Sequence, residues 1–275
     1  MRRHTPSQVA ATATLASLFE QRTDACRLTP DRALDTLEDA QAFLAERGML
    51  TLTPDCALPS LFAACHEEPY QPGGHGFATW PKTKWPWAFA LVERTGVHAL
   101  KLHRGKRLFL SDATVAVVDP LCRAELEKTS RGEHGAAAQG LVDFLAAAGP
   151  SRLEDVMREL GLATTALRAM REGLERVGAI ISRPMAVEAV TGGERETSEL
   201  ARWDQHYPTA SGVSGGLAEL AVGGVRAAVV APEEELARWF SWPLPRGLVE
   251  ELIEGGKLCR PQEGWIAATS PIQAR

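Results

Sequence analysis

Three helix-like segments of the chain end in the same pattern, Leu-x-x-x-Gly, and each continues directly into a short apolar stretch. The glycines are Gly48, Gly178 and Gly256, and an aliphatic residue follows each by two positions. Glycine readily takes the left-handed conformation that closes a helix, so each copy predicts a helix that leads into a strand. A helix, a glycine and a strand after two earlier helices is the ending of a winged helix. The pattern therefore predicts winged helices in tandem.

The middle of the chain has the most complete pattern of this kind. Its predicted helices are 136–148, a second helix capped by Ser151, and 164–177. A tight turn at Gly161 separates the last two, as in a helix-turn-helix. Two short strands are then predicted within 179–190, with Arg183-Pro184 between them.

The flanking regions repeat this order less regularly. In the last region we predict helices over 217–230 and 248–254, another opened by Pro232 and its acidic neighbours, and a hairpin over 257–268. In the first region we predict a helix from Thr5 to Gln21, helices over 34–46, 58–65 and 85–94, and a hairpin around Arg104-Gly105. The predicted fold is mostly α with small β wings (α+β), formed by three tandem winged-helix units. The predicted domains are an irregular N-terminal unit with a basic, Trp-rich segment (1–130), a central winged helix (131–190), a linker (191–214) and a C-terminal winged helix (215–275).

Charge and cysteine content narrow the class of protein. The net charge of −5 gives no overall basic field, so any contact with nucleic acid needs a local basic patch. The five cysteines are scattered without a Cys-x-x-Cys pair, which is typical of reduced thiols rather than disulfides or a zinc site. No apolar run is long enough for a membrane span. We expect a cytoplasmic protein without a cofactor or a metal.

The segment from Trp80 to Arg107 is the strongest candidate for a binding site, because it holds seven lysines and arginines against one acid, Glu93. Cations neutralise phosphates, and aromatic rings stack on exposed bases. The alternative is that the tryptophans are core residues and the charges an ordinary solvated surface. The predicted DNA contacts of this segment are Lys82, Lys84, Trp85, Trp87, Lys101, His103, Arg104, Lys106 and Arg107.

Two further candidates are less distinctive. Arg168 and Arg171 lie on the helix that enters the major groove in an ordinary winged helix, although Glu172 and Glu175 on the same helix would repel phosphate. The run Trp203-Asp204-Gln205-His206 offers groups suited to a general base, but we interpret it as part of the linker. No sequence motif specifies a catalytic site.

The chain resembles the AlkZ-like (YcaQ-type) family of tandem winged-helix DNA glycosylases, and more specifically its AlkZ-related branch. The resemblance rests on Thr36 to Leu50, Leu58-Pro59-Ser60-Leu61, Trp85-Pro86-Trp87, the hairpin 101–106 and the middle unit up to Ile181. Family members that excise alkylated or crosslinked bases use a Gln-x-Gln or Gln-x-Asp motif. The matching position here holds Thr51-Leu52-Thr53, and neither motif occurs in the chain.

These observations lead to three hypotheses. The first is a DNA-binding protein of the AlkZ-like type that engages intact or damaged duplex DNA through 82–107, with glycosylase activity left open. The second is a DNA-binding regulator or repair accessory without catalysis. The third is a protein–protein interaction module. The sequence determines neither the oligomeric state nor a lesion.

Overall fold

The computed structural model describes residues 14–188, 194–213 and 215–269. The α-helices in these ranges are α1 (Leu15–Ala25), α2 (Leu37–Arg47), α3 (Trp87–Ala90), α4 (Asp112–Ser130), α5 (Ala136–Ala148), α6 (Leu153–Leu160), α7 (Thr164–Arg176), α8 (Trp203–His206), α9 (Leu217–Ala228), α10 (Glu233–Leu236) and α11 (Leu248–Glu254). The strands are β1 (Met49–Thr51), β2 (Val97–His103), β3 (Lys106–Ser111), β4 (Ser151–Arg152), β5 (Ile180–Glu188), β6 (Glu194–Arg202), β7 (Val230–Pro232), β8 (Leu258–Gln262) and β9 (Trp265–Ala268).

The strands form three small antiparallel sheets of the same topology. Their orders are β1-β3-β2, β4-β6-β5 and β7-β9-β8, so the first strand of each set pairs with the third. In each set a helix precedes the first strand and a hairpin of the remaining strands comes last. Two α-helices lie between them in the second and third sets, whereas α3 and short 3₁₀ turns lie there in the first. We name the sets the first unit (α2, α3, β1–β3), the middle unit (α5–α7, β4–β6) and the last unit (α9–α11, β7–β9). Helices with small antiparallel sheets make an α+β protein, as predicted.

The glycines of the repeated pattern take the conformation predicted for them. Gly48, Gly178 and Gly256 have φ of 80°, 72° and 67°, and a strand follows each within two residues. Their places in the topology differ, however. Gly178 and Gly256 follow the third helix of their units, whereas Gly48 follows the first helix of its unit. The first copy is therefore not the ending of a winged-helix pattern. A left-handed glycine is needed wherever a helix passes directly into a strand, and this happens at two different places in the topology.

The long helix α4 joins the first and middle units and was not predicted. Its cap is Ser111, whose hydroxyl accepts a hydrogen bond from the backbone N–H of Thr114. Its buried face packs against α5, α8 and α9. One cluster of buried apolar side chains consequently runs through all three units, including Met49, Leu141 and Trp239.

The predicted linker 191–214 is wrong where the structure describes it. Strand β6 and helix α8 occupy much of it, and β6 pairs with β5 over its whole length. Residues Arg183-Pro184 lie inside β5 rather than between two strands. Pairing across a hairpin, rather than an alternation of apolar residues, holds these polar strands together. Residues 189–193 lie outside the described residues.

Smaller corrections concern the ends of elements. Ser151 does not cap α6, because it lies in β4 and its hydroxyl donates to the carbonyl oxygen of Gly149. The predicted helix 58–65 is reduced to a 3₁₀ turn at Ala63–Cys65, and Val230 belongs to β7 rather than to α9. Helix α1 extends past Gln21, while its predicted start at Thr5 lies outside the described residues. Among the described helices, none has the length and apolar character needed to cross a membrane.

Candidate nucleic-acid interface

A cleft of about 900 Å³ lies between the first and middle units. One wall consists of β2 and the short helical segment around α3, and the other consists of the start of β5 together with His206 and Tyr207. The buried carboxylate of Glu175, at the end of α7, lies where the walls meet. The cleft thus depends on the packing of the first unit against the middle unit, which brings together elements that are distant in sequence.

Cations outnumber carboxylates along this cleft. Its basic lining residues are Arg94, Lys101, Arg107 and Arg183, and its acidic ones are Glu93 and Glu175. Such a lining attracts anions, although several of these cations already have protein partners. Arg94 pairs with Glu38 of α2 at 2.6 Å, with both side chains exposed, so this pair contributes little to stability and can be exchanged for a ligand.

The pair of Lys101 and Glu175 connects the two walls. The Glu175 side chain is only 3% exposed. One of its oxygens lies 2.5 Å from Lys101 Nζ, and the other accepts a hydrogen bond from the hydroxyl of Ser182 on β5. Arg171 lies 3.7 Å away on α7. A buried carboxylate needs such partners because burial without them is costly.

Arg107 and Arg183 are held by other contacts. Arg107 donates to the carbonyl oxygen of Ala88 at 2.6 Å, and its guanidinium lies 5.2 Å from the centre of the Phe89 ring. Burial lowers the pKa of Arg107 from its ordinary value. Arg183 lies 3.1 Å from Nε2 of His206. Burial first, and then the charge of Arg183, lowers the pKa of His206 to about 4, so this imidazole is neutral at physiological pH and Arg183 keeps its charge available.

A cluster of exposed and partly buried aromatic rings continues from the cleft over the first unit. We call it the aromatic surface, and it consists of Tyr70, Phe77, Trp80, Trp85 and Phe89. Phe77 is its centre, with ring centroids 4.9 Å from Trp80 and 5.4 Å from Trp85. Tyr70, Phe77 and Phe89 are between 45% and 49% exposed. Trp80 and Phe89 also line the cleft, so rings and cations share one continuous surface.

A chain of hydrogen bonds lies at the same cleft. Asp112 Oδ1 is 2.8 Å from His98 Nε2, and His98 Nδ1 is 2.9 Å from the hydroxyl of Tyr207. His98 and Tyr207 both line the cleft. A neutral imidazole that donates Nε2–H to a carboxylate presents Nδ1 as an acceptor, so Tyr207 donates to His98.

The turn of the β2–β3 hairpin makes its polar contacts within the protein. His103 is 1% exposed, with Nδ1 donating to the carbonyl oxygen of Trp239 and Nε2 3.0 Å from Asp55. Burial therefore contradicts the prediction of His103 as a DNA contact. Arg104 and Lys106 also contact Asp55, at 3.5 Å for Arg104. The carboxylate connects these side chains within the protein, but the two cations are exposed enough to reach a ligand.

The same place contains a group with metal-ligand chemistry. Ligand atoms of Asp55, Cys56 and His103 lie within 4.8 Å of one another. Burial, reinforced by the negative charge of Asp55, raises the pKa of Cys56 to about 11, which disfavours the thiolate that binds metals. Lys106 and Arg104 supply positive charge beside Asp55. These features favour an ion-pair cluster over a metal site.

The remaining predicted contacts are distributed over two surfaces. Lys82 is exposed, whereas Lys84 donates to the carbonyl oxygen of Leu34 at 2.6 Å and lies over the Trp87 ring. Trp87 is partly buried and packs against the core of the first unit, as Trp80 also does, which favours the core interpretation for these two tryptophans. Trp85, by contrast, belongs to the aromatic surface.

Helix α7 exposes Arg168 but directs Arg171 inward. Arg168 is 73% exposed and pairs with Glu172 one turn away, at 2.8 Å. The Arg171 side chain is 18% exposed and faces Glu175. Only Arg168 of the two is therefore well placed for a ligand outside the protein.

Two sequence segments considered for chemistry have mainly structural roles. Trp203 is fully buried, Asp204 pairs with Arg202, and Gln205 donates to the carbonyl oxygen of Leu145. At the position that matches the family motif, Thr51 is buried and its hydroxyl donates to the carbonyl oxygen of Pro59. This hydroxyl is therefore unsuited to activating water, although Leu52 beside it lines the cleft.

The structure adds candidate residues that the sequence analysis did not name. They are Phe89, Arg183, Tyr207, and the aromatic residues Tyr70 and Phe77. Tyr70 and Phe77 lie in a Pro/Gly-rich loop. A loop has no periodic pattern of apolar residues from which the exposure of a side chain could be predicted. Arg183 and Tyr207 are far from β2 in sequence. They lie near it only because the units pack together, and a local sequence pattern does not show this. A comparison with family models, curated proteins and solved structures found no match to this chain.

Proposed function

We propose that the protein consists of three winged-helix units and binds DNA through the cleft between the first and middle units. The threefold repetition of one strand order, each time after a helix, supports the winged-helix assignment, and the middle and last units also have two α-helices before the hairpin. The family resemblance supports a role in repair of damaged bases. A DNA-binding regulator or accessory without catalysis, and a protein–protein module, are the alternatives that the experiments below distinguish.

The observation that carries the proposal is a cleft lined by cations and by the rings of Trp80 and Phe89, next to the other rings of the aromatic surface. Lys101, Arg107 and Arg183 line the cleft and can contact phosphates, while Phe89 in the cleft and Phe77, which contacts Trp80 beside it, offer faces to unpaired bases. Proteins that bind single-stranded or extruded nucleotides combine these two elements. Intact duplex does not offer base faces, so the surface favours DNA with unpaired or displaced bases.

The third helices of the units do not favour ordinary groove reading. In α11 the exposed side chains are Glu250, Glu251 and Glu254, which would repel phosphate. In α7 the exposed Arg168 is already paired with Glu172. The cleft therefore carries the DNA contact in this proposal, and the last unit supports the cleft from behind through the His103–Trp239 contact.

Stacking can be tested with two matched phenylalanines. Phe77 lies 4.9 Å from Trp80 in the aromatic surface, and Phe19 lies 4.9 Å from Trp265, outside the cleft. Both rings are partly exposed. We expect Phe77→Ala to weaken binding of a single-stranded oligonucleotide by about tenfold, since one stack contributes about 1–3 kcal/mol. Fluorescence anisotropy measures this change, and Phe19→Ala should leave affinity unchanged.

The cations have their own test. Arg183→Gln should weaken binding and reduce the salt dependence by about one phosphate contact, whereas Arg158→Gln removes an exposed charge outside the cleft lining. Equal effects of the two substitutions would contradict the cleft assignment. Binding of DNA by neither parent nor variants would favour the protein–protein module.

A further inference from the structure

A second groove lies on the last unit, and among the described residues it shares none of its lining with the cleft. We call it the acidic groove. Its volume is about 670 Å³, and it is formed by α10, the loop that leads to α11, the start of α11 and the end of the β8–β9 hairpin. Pockets of about 300–1,000 Å³ suit ligands of small size. The groove therefore has room for a short peptide segment but not for a folded domain.

Part of the lining of the acidic groove is apolar although it lies at the surface. The apolar lining residues are Ala237, Leu244, Pro245, Leu248 and Val249. Ala237 and Pro245 are exposed, and Leu244 and Val249 are half-buried. Apolar side chains that remain in contact with water in a concave place gain free energy when a partner covers them.

The rest of the lining is charged, and its charge is mostly negative. The described lining holds four acids, Glu233, Glu234, Glu250 and Glu263, against one cation, Arg260. Arg260 already pairs with Glu233 and Glu250. The exposed side chains of Glu234 and Glu263 make no ion pair or hydrogen bond within the described part of the chain. The groove therefore presents negative charge that the protein itself does not neutralise.

Contacts between its walls hold the acidic groove open. Arg260 of β8 donates to both carboxylate oxygens of Glu233 on α10 at 2.6 Å, and to Glu250 on α11 at 2.7 Å. The backbone N–H of Glu233 donates to the carbonyl oxygen of Gly264 at 2.9 Å. One guanidinium thus fixes the hairpin to both helices. A preformed site loses less conformational entropy when it binds a ligand.

The chemistry of the lining excludes the other common kinds of ligand. Its acids repel the phosphates of nucleic acids and of anionic lipids. Within the described residues, the group with the spacing of metal ligands is Asp55, Cys56 and His103, which lies outside this groove. A cation with apolar neighbours is the ligand that matches both parts of the lining.

We propose that the acidic groove docks a segment of a partner protein in which arginines or lysines alternate with apolar side chains. The long stems of arginine and lysine pack on apolar surface while their charged ends extend further, so they can reach the unpaired carboxylates of Glu234 and Glu263. The apolar side chains of the segment cover Leu244 and Val249. This inference does not depend on DNA binding, because the groove and the cleft are separate.

The first test uses the full chain and labelled synthetic peptides. One short peptide alternates leucine and arginine, a second has glutamate in place of every arginine, and a third has serine in place of every leucine. We expect the leucine–arginine peptide to bind, and the other two to bind about tenfold more weakly or less, since each lacks one half of the match. Fluorescence anisotropy measures these affinities. No binding of the leucine–arginine peptide, or equal binding of the serine–arginine peptide, would overturn the proposal.

The second test locates the peptide on the protein. The double variant with Glu234→Gln and Glu263→Gln should weaken binding of the leucine–arginine peptide by about fivefold, as expected for the loss of two exposed ion pairs. The matched control combines Glu46→Gln with Asp143→Asn, which removes two exposed acids outside the groove and should leave affinity unchanged. Equal losses in the two double variants would show attraction by net charge alone and overturn the proposal.

Reversal of the charge distinguishes recognition from damage to the fold. The double variant with Glu234→Lys and Glu263→Lys should lose the leucine–arginine peptide and gain binding of the leucine–glutamate peptide. A variant that has merely lost structure cannot gain this specificity. Thermal unfolding of the same sample checks that it is folded, and a folded variant that does not change its preference would contradict the assignment.

Discussion

At the scale of single residues, buried carboxylates decide how much positive charge the cleft presents. Glu175 neutralises Lys101 and lies beside Arg171. Part of the positive charge of the cleft is therefore paired within the protein, in a contact that connects the first and middle units. This residue links the stability of the molecule with its proposed affinity for DNA.

Glu175→Gln should change these two properties in opposite directions. Loss of the charge leaves Lys101 and Arg171 without their partner, so we expect a loss of about 1–3 kcal/mol in the free energy of unfolding. The cleft gains one positive charge, and DNA affinity at low salt should rise several-fold. Denaturant unfolding and anisotropy measure the two effects. The control is Glu127→Gln, which alters an exposed side chain on α4; the same affinity gain there would contradict a local effect.

Asp119 should make folding stability sensitive to acid. It is buried and accepts hydrogen bonds from Trp203 Nε1 at 2.7 Å, from the backbone N–H of Ser211 and from Arg123. Although burial works in the opposite direction, these bonds lower the pKa of Asp119 in the folded protein. The resulting stabilisation is complete above the unfolded pKa, about 3.9, and is lost as the pH falls through the lower folded value.

Asp119→Asn should therefore destabilise the protein at pH 7, by about 3 kcal/mol, because it leaves a buried partner unpaired. The difference from the parent should shrink below about pH 4. Thermal unfolding over a pH series tests this, and a difference independent of pH would contradict it.

At the scale of elements, the repeated helix-ending glycine has different surroundings in different units. A Cβ on Gly178 would collide with the thiol of Cys122 on α4, whereas a Cβ on Gly256 would meet no atom within 4 Å. Both glycines have positive φ. Both positions therefore require a left-handed backbone, but only Gly178 also lacks the space for a side chain.

Substitution by alanine should separate these two requirements. Gly256→Ala should cost only the left-handed conformation, about 1–2 kcal/mol. Gly178→Ala adds overpacking of about 1–3 kcal/mol and should lower Tm clearly more. Equal losses would contradict the close packing of α4 against the middle unit.

Local rules explain which elements could be predicted from the sequence. The ends of α2, α7 and α11 followed from glycine, and α5 and α11 have the predicted bounds. Helix α4 was missed because Pro120 and several valines, residues with low helix propensity, lie within it. Strand β6 was missed because its sequence is polar, and only its pairing with β5 makes it a strand.

At the scale of the whole molecule, the site depends on contacts between residues far apart in sequence. His98 and Tyr207 are separated by 109 positions, and no sequence spacing reveals their proximity. Lys101 and Arg107, two of the DNA contacts predicted from the basic run, line the cleft, and whether they contact DNA stays a prediction. The prediction of His103 was wrong because the same run also supplies the contact with Trp239.

Arg22 joins the first and last units and should be important for stability. Its guanidinium donates to the carbonyl oxygens of Ala57 at 2.6 Å and Ala228 at 2.7 Å. Arg22→Ala should destabilise the protein by about 2–3 kcal/mol, since charged hydrogen bonds of this kind contribute about 1.5–3 kcal/mol. Arg32→Ala removes the exposed pair with Asp24 and should cost less than about 1 kcal/mol. Equal losses in denaturant unfolding would contradict the bridging role.

The measurement that tests the central claim most directly is DNA affinity across a salt series, with an intact duplex and a matched duplex that carries an abasic-site analogue. We predict affinity that falls steeply with salt, because several cations contact phosphates, and tighter binding to the lesion, where a base can leave the stack. Salt-dependent binding without preference would favour a regulator over a repair protein. No binding at low salt would contradict the account.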